Sequence, residues 1–260
     1  MNFMMKQLCL ILGLAFLSNT LFAKDILIVA PYYGNIYNAY NKSGIDLKDT
    51  QMMDGVYLQY VSPEIGQMNV FIYQAPNVNY SKVNGLHGNA DLYFGEGDKW
   101  VLGLGYDNIL INMDAGSNIS GLSVFKMYND VKEVYVRFGK YVQTGEWISG
   151  LQTRFLPYIG YGRESVGGSV TMSPGPGLIP VNSGENYPLA GMNGHFNFHH
   201  FIDIDAKYML MYQKVKTLPV ITLQANVFFT HNLGLTYQYK YMEQTSGKDI
   251  YSIFGVALVL

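Results

Sequence analysis

Apolar and polar residues alternate with a period of two along most of the chain. In the segment HNLGLTYQYKYM, the apolar or aromatic set comprises Leu233, Leu235, Tyr237, Tyr239 and Tyr241. The intervening set comprises Gly234, Thr236, Gln238 and Lys240. Successive side chains of a β-strand point to opposite faces. The segment therefore predicts a strand with one apolar face and one largely polar face.

The same pattern recurs and predicts an all-β chain of about twelve strands, with ten or fourteen as alternatives. The predicted strands are Ile26–Tyr40, Gln51–Ser62, Met68–Ala75, Leu86–Gly95, Trp100–Met113, Val131–Val142, Trp147–Gly162, Tyr187–His199, Ile204–Lys214, Val220–Phe229, Leu233–Tyr241 and Ile250–Leu260. Most are long enough to cross an apolar layer, which takes about 9–11 tilted residues.

The connections alternate between short turns and mostly longer loops. Short turns rich in Gly, Asn and Asp favour tight hairpins, and this asymmetry is typical of a transmembrane barrel. Lipid offers no hydrogen bonds, so a membrane sheet must close on itself. The sequence therefore predicts an antiparallel up-and-down transmembrane β-barrel. A secreted β-sandwich with shorter strands is the main rival.

The N-terminal segment predicts a signal peptide at residues 1–23, followed by a single barrel domain at residues 24–260. Lys6 precedes an apolar run from Leu8 to Leu17, and Ala23 occupies the predicted cleavage position. The run is shorter than the ~20 residues of a spanning helix. The single cysteine, Cys9, lies within the signal, so the exported domain has no thiol for a disulfide.

The composition agrees with a lipid setting. Aromatic residues make up 15% of the chain and charged residues only 14%, against a usual ~25% charged. The net charge of −2 gives no basic surface for nucleic acid.

The final segment, YSIFGVALVL, resembles the C-terminal strand of bacterial outer-membrane proteins. Those proteins usually end in an aromatic residue, whereas this chain ends in Leu260. Over the whole exported chain the pattern resembles the porin-like class of outer-membrane β-barrels, without pointing to a specific family. The resemblance implies a monomer in the outer membrane of a Gram-negative-type bacterium. It also implies contact with membrane lipid, and recognition of the last strand by the barrel insertion machinery.

The parity of the strands predicts a set of charges that face the interior. The acidic members are Asp91, Asp107, Glu133 and Asp205, and the basic members are Arg137, Arg154, Lys207 and Lys240. These charges either pair across the lumen and close it, or line a narrow wet pore. Eight strands leave a filled interior and sixteen leave an open channel, so twelve lies between.

We expect a narrow channel for passive diffusion of small hydrophilic solutes. A non-conducting surface, adhesion or structural protein is the alternative, and a barrel hydrolase acting on lipid or peptide is a second. The loop within residues 163–186 contains three prolines and several glycines. It is expected to lack regular structure and to serve as a connector, a recognition loop or a constriction.

No catalytic, cofactor or metal site is predicted. His87 and Asp91 share a face and form the best candidate dyad for a hydrolase. His195, Asn197 and His199 also share a face, but the two histidines are about 13 Å apart along the strand. A metal would therefore need ligands from neighbouring strands, which the sequence alone does not identify. The Gly103-Leu104-Gly105 and Gly160-Tyr161-Gly162 motifs indicate space inside a curved sheet rather than a nucleotide loop.

Overall fold

The fold was analysed in a computed structural model of the chain. It describes residues 26–42, 45–76, 81–95, 99–114, 123–146, 150–198, 201–244 and 247–260. The predicted signal peptide lies outside these ranges. Among the described residues, no helix has the length and hydrophobicity to cross a membrane.

Thirteen β-segments account for most of the described residues. They are β1 (Ile26–Lys42), β2 (Ile45–Ser62), β3 (Gly66–Ala75), β4 (Ser81–Phe94), β5 (Trp100–Asp114), β6 (Val124–Lys140), β7 (Val142–Glu146), β8 (Leu151–Ser173), β9 (Gly177–Phe198), β10 (Ile202–Tyr212), β11 (Thr217–Phe228), β12 (Leu233–Gln244) and β13 (Gly247–Val259).

Segments β6 and β7 form one interrupted strand. Both pair with β8, and β7 takes up the pairing at Val142↔Phe155, just after β6 leaves it at Gly139↔Tyr158. At the break, the Tyr141 amide donates a 2.9 Å hydrogen bond to the Lys99 carbonyl. The sheet therefore has twelve strands, as the sequence predicted.

The sheet closes into an antiparallel barrel because β1 pairs with β2 on one side and with β13 on the other. All other neighbouring strands follow each other along the chain. We call the end that carries the β2–β3, β4–β5 and β9–β10 connections the turn end, and the opposite end the loop end. The first and last described residues, Ile26 and Leu260, both lie at the turn end.

The two faces of each strand differ as the alternation predicted. On β5, Leu104 is 53% exposed, whereas Val101 on the other parity is 1% exposed. On β12, Leu235 is 52% exposed and Lys240 is 5% exposed. The residues of the apolar set therefore cover the outside of the barrel, and those of the mixed set fill the inside.

The loop predicted within residues 163–186 is instead a long hairpin. β8 and β9 stay paired as far as Met172↔Gly177, and Pro174–Pro176 make the turn. The strand β6 reaches the same height, pairing Val124 with Ser173. The prediction failed because prolines are tolerated on an edge strand, and β9 has no β10 partner beyond Leu189.

This extended sheet has a small apolar cluster of its own. Met113, Phe125 and Met127 are buried there, with Val170 and Met172 packed against them. From Leu189 to Gly177 the edge strand runs about 40 Å at ~3.3 Å per residue. The loop end therefore carries an ordered platform of strands above the barrel.

Candidate functional site: the barrel interior

The centre of the barrel is filled by side chains. Five of the predicted interior charges are nearly inaccessible to solvent: Asp91, Asp107, Glu133, Arg137 and Lys240, at 2%, 7%, 5%, 3% and 5% exposure. Large aromatic side chains share this space, including Phe71 and Tyr187 at 0% exposure. In the conformation described, these residues do not line a water-filled passage.

A continuous chain of hydrogen bonds crosses the middle of the lumen. Its members, in order, are Lys207, Tyr135, Asn89, His87, Asp107 and Lys240. Lys207 donates to the Tyr135 hydroxyl at 2.8 Å, and this hydroxyl donates to Asn89 at 2.5 Å. Asn89 Nδ2 donates to His87 Nε2 at 2.8 Å, which leaves Nδ1 to donate to Asp107. This pattern fits a neutral His87 with its proton on Nδ1.

Asp107 also accepts a hydrogen bond from Lys240, at 3.2 Å. β5 and β12 are six strands apart in either direction around the ring. Twelve strands ~4.8 Å apart and tilted ~40° would make a circular ring roughly 24 Å across. Extended Lys and Asp side chains, with the 3.2 Å hydrogen bond between them, span at most about 15 Å at ~1.5 Å per bond. The cross-section is therefore flattened, with β5 and β12 drawn together.

A second ion pair lies nearer the turn end. Arg137 Nη2 contacts both carboxylate oxygens of Asp91, at 2.8 and 2.9 Å, and its guanidinium lies 4.9 Å from the Tyr158 ring centre. Gln67 donates to the same carboxylate at 3.0 Å. Each of these two ion pairs is supported by a further hydrogen bond to its carboxylate, from His87 to Asp107 and from Gln67 to Asp91, which favours charges in a low-dielectric interior.

A small acidic cavity lies on the loop side of the Lys240–Asp107 pair. Asp107, Glu133, Glu164 and Glu243 line it together with apolar side chains. It leaves about 10 Å³ for the centres of water molecules, which is room for about one water. The hydroxyl of Tyr187 donates to Glu133.

His87 and Asp91, the predicted dyad, do not pair. His87 bonds to Asp107 on the neighbouring strand, and Asp91 bonds to Arg137. Among the described residues, the side-chain hydrogen bonds of His87 go to Asp107 and Asn89, and neither partner is a hydroxyl nucleophile. The arrangement does not supply the nucleophile and base that covalent hydrolysis needs.

The remaining predicted residues cluster at the turn end. Arg154 is exposed there, opposite His195 in the β8–β9 register. The His195 ring lies between two carboxylates of β10, with Nδ1 2.9 Å from Asp205 and Nε2 3.3 Å from Asp203. His199 lies outside the described residues. The neighbouring-strand partners that the sequence could not identify are therefore present.

Sequence reasoning did not anticipate how tyrosines and glycines pair across the strands. Gly105 lies opposite Tyr135 and Gly85 lies opposite Tyr73. A Cβ atom at either glycine would overlap the facing ring. The glycines of the inner face let large rings lie flat against the wall, and an aromatic directly across from a glycine was the available signal.

Comparison with known proteins shows a similar fold in solved structures, but no significant match in sequence. No model of a known protein family matches the chain, and no curated protein matches it at a significant level. The translocator domain of the autotransporter NalP from Neisseria meningitidis matches over 97% of this chain and 95% of its own. That match has a TM-score of 0.53 at 12% identity.

Two further solved structures are similar at lower scores. The KdgM porin in complex with disordered oligogalacturonate covers 89% of this chain and 98% of its own, at 9% identity and a TM-score of 0.44. The β domain of the Bordetella autotransporter BrkA covers 88% and 98%, at 14% identity and a TM-score of 0.43. Scores below 0.5 are too low to support a conclusion. The likeness to the translocator domain shows that the chain has the outer-membrane β-barrel fold.

Proposed function

We propose that this barrel is an integral protein of the outer membrane of a Gram-negative-type bacterium, with its turn end in the periplasm. On β6 the exposed apolar residues Val134, Val136 and Phe138 lie between Lys132 and Lys140. These lysines are eight residues apart, roughly 20 Å along the barrel axis for a strand tilted ~40°. That height is close to the ~25 Å apolar band of such barrels.

The membrane assignment is tested by gel migration in detergent. A closed barrel that is stable in detergent migrates differently before and after boiling. Equal mobility in both states, together with full solubility in detergent-free buffer, would contradict it. This measurement is independent of any channel activity.

We propose further that the barrel is a narrow channel for small hydrophilic solutes, closed in the conformation described. The observation that carries this proposal is the Lys240–Asp107 ion pair across the lumen. Twelve strands allow an interior wider than its side chains alone would fill, and this pair holds two opposite walls together. The contacts between these two walls are polar, so Lys240 and Asp107 can be hydrated when the walls separate, although apolar and aromatic side chains also share the interior.

The matching experiment is conductance of the purified protein in a planar lipid bilayer. We expect rare, small openings for the wild type and longer, larger openings for Lys240→Met. This substitution removes the Lys240–Asp107 ion pair and keeps a side chain of similar length. Lys248→Met, on an exposed side chain of β13, is the matched control and should behave like wild type. If Lys240→Met conducts no more than wild type, in protein whose gel mobility still changes on boiling, the channel proposal fails.

A second candidate function is a non-conducting surface or structural role. It is favoured by the platform of β6, β8 and β9 at the loop end, with its buried Met113, Phe125 and Met127. Replacing Gly167–Asn182 by the two-residue turn Asn-Gly removes the hairpin beyond the Val166↔Ser183 pair and is designed to keep the pairing below it. A surface role predicts that this replacement abolishes function in cells. A channel role predicts that bilayer conductance is retained.

A further inference from the structure

Three adjacent strands bring together polar side chains that can bind a metal ion, at the turn end of the lumen. His195 comes from β9, Asp203 and Asp205 from β10, and Asn226 from β11. One ligand atom from each of His195, Asp203 and Asp205 lies within 4.8 Å of the others. These side chains are 29%, 16% and 42% exposed, so water and ions reach them from the mouth of the barrel.

The two nitrogens of His195 have different environments. Nδ1 lies 2.9 Å from Asp205, a hydrogen-bond distance. Nε2 lies 3.3 Å from the nearest oxygen of Asp203. Two ligands of a tetrahedral ion with bonds of ~2.0–2.1 Å are roughly 3.3 Å apart. The Nε2–Asp203 spacing therefore fits a shared ion, and the Nδ1–Asp205 contact fits an orienting hydrogen bond.

A buried amide next to this pair supplies an independent observation. Asn226 is 0% exposed, and its Oδ1 has no hydrogen-bond partner among the described residues. Its Nδ2 lies 3.4 Å from the second oxygen of Asp203. The two ends of an amide have nearly the same shape, so exchanging them would aim the unpartnered oxygen at the carboxylate. In that orientation the oxygen can be a ligand of a cation bound to Asp203, while Nδ2 takes the buried position that Oδ1 now occupies without a partner.

We propose that His195 Nε2, Asp203 and Asn226 Oδ1 bind a divalent transition-metal cation of the Zn²⁺ class, with water completing the shell. Asp205 is a positioning residue that accepts the Nδ1 hydrogen and fixes the ring, the usual outer partner of a metal-bound histidine. The imidazole favours Zn²⁺ over Mg²⁺ and Ca²⁺, which prefer oxygen ligands. Arg154, opposite His195, is the nearby cation that opposes binding.

The test is isothermal titration of Zn²⁺ into untagged, chelator-treated full-length barrel in detergent, with Mg²⁺ as the comparison ion. We expect one Zn²⁺ per chain and no Mg²⁺ response. His195→Ala and Asp203→Asn should abolish binding. Asp205→Asn should weaken it about 10–100-fold, the usual effect of losing an outer partner. His231→Ala, at an exposed turn position, should bind like wild type.

Two further variants sharpen the result. Asn226→Asp should tighten binding, because it adds a negative ligand, and Arg154→Ala should tighten it by removing a repelling charge. Heat-modifiable migration verifies that each variant is folded. Absence of stoichiometric Zn²⁺ binding by wild type, or equal binding by folded His195→Ala, overturns the proposal. If Asp205→Asn abolishes binding as completely as Asp203→Asn, Asp205 is not merely a positioning residue, and its assigned role is wrong.

Discussion

Lys240 on β12 and Asp107 on β5 are 133 residues apart in the chain and on opposite walls of the barrel, yet their Nζ and Oδ1 atoms are 3.2 Å apart. The side chains are only 6% and 10% exposed. A buried ion pair gains little over a matched neutral pair, but a buried charge without its partner is strongly unfavourable. Removing one partner therefore has a different effect from removing both.

We expect Lys240→Met alone to lower the free energy of unfolding by about 3 kcal/mol, because it removes the cation beside the buried Asp107 carboxylate and leaves only the His87 hydrogen bond. The double variant Lys240→Met/Asp107→Asn should recover most of that loss. Urea unfolding in lipid vesicles, followed by tyrosine and tryptophan fluorescence, gives both values. A double variant as unstable as the sum of the two single variants would show that the pair is not coupled.

The Arg137–Asp91 pair predicts that lysine cannot replace arginine at position 137. Lysine has no planar fork to reach both carboxylate oxygens and does not stack in the same way on Tyr158. We expect Arg137→Lys to lower the free energy of unfolding by about 2 kcal/mol or more, close to the effect of Arg137→Ala. Arg163→Ala is the control, because Arg163 is exposed and should change stability by less than about 0.5 kcal/mol. Wild-type stability of Arg137→Lys would mean that the fork geometry is unimportant.

The tyrosine–glycine pairing predicts that Gly105→Ala is destabilising. The added methyl would overlap the buried Tyr135 ring, and overpacking of this kind costs about 1–3 kcal/mol. Gly88→Ala is the matched substitution, since its Cβ would have no neighbour closer than 3.8 Å. The difference between their urea midpoints measures the effect. Equal midpoints would show that the ring moves aside without cost.

Charge placed on the outer face locates the membrane. Leu104→Lys puts a charge on the predicted lipid face and should cost about 2–4 kcal/mol near the midplane. Tyr128→Lys is also on an exposed position, but lies between Lys126 and Asp130 and should cost little. Comparing the two variants in vesicles and in a short-chain detergent separates the lipid effect from intrinsic instability. A small effect of Leu104→Lys in vesicles would contradict the placement of the apolar band.

If the channel opens, the acidic loop side of the lumen should favour cations. Glu133 and Glu164 line the cavity next to Asp107. In the Lys240→Met background, Glu133→Gln is expected to lower the ratio of potassium to chloride permeability. The shift of reversal potential in a salt gradient measures that ratio. An unchanged ratio would show that ions do not pass Glu133.

The faces and number of the strands were predictable because the alternation is a local property. A one-residue slip would place Lys240 in lipid, so parity alone assigns the inner and outer sets. The alternation also continues through the part of β9 before Tyr187, where Pro180 obscured it. On an edge with no β10 partner, the missing amide hydrogen costs no ladder hydrogen bond.

The contacts inside the lumen could not be predicted in the same way. The alternation predicts that Asp91 faces inward. It does not predict the position along the barrel axis of Arg137, which lies two strands away. His87 and Asp91 are four residues apart on one strand, about 13 Å, so their shared face never implied contact. The flattening that joins Lys240 to Asp107 depends on all twelve strands together, and no short segment encodes it.

The pairing of β1 with β13 sets the order in which the barrel can be assembled. Tyr32 and Gly255 are register partners more than 200 residues apart, whereas the other pairings join strands that follow one another. Hairpins form early, because the entropy lost on closing a loop rises with its length. Until the β1–β13 pairing forms, two strand edges carry unpaired backbone groups that lipid does not satisfy. We therefore expect closure of that seam to be the last step, completed while the two edges are still shielded from lipid.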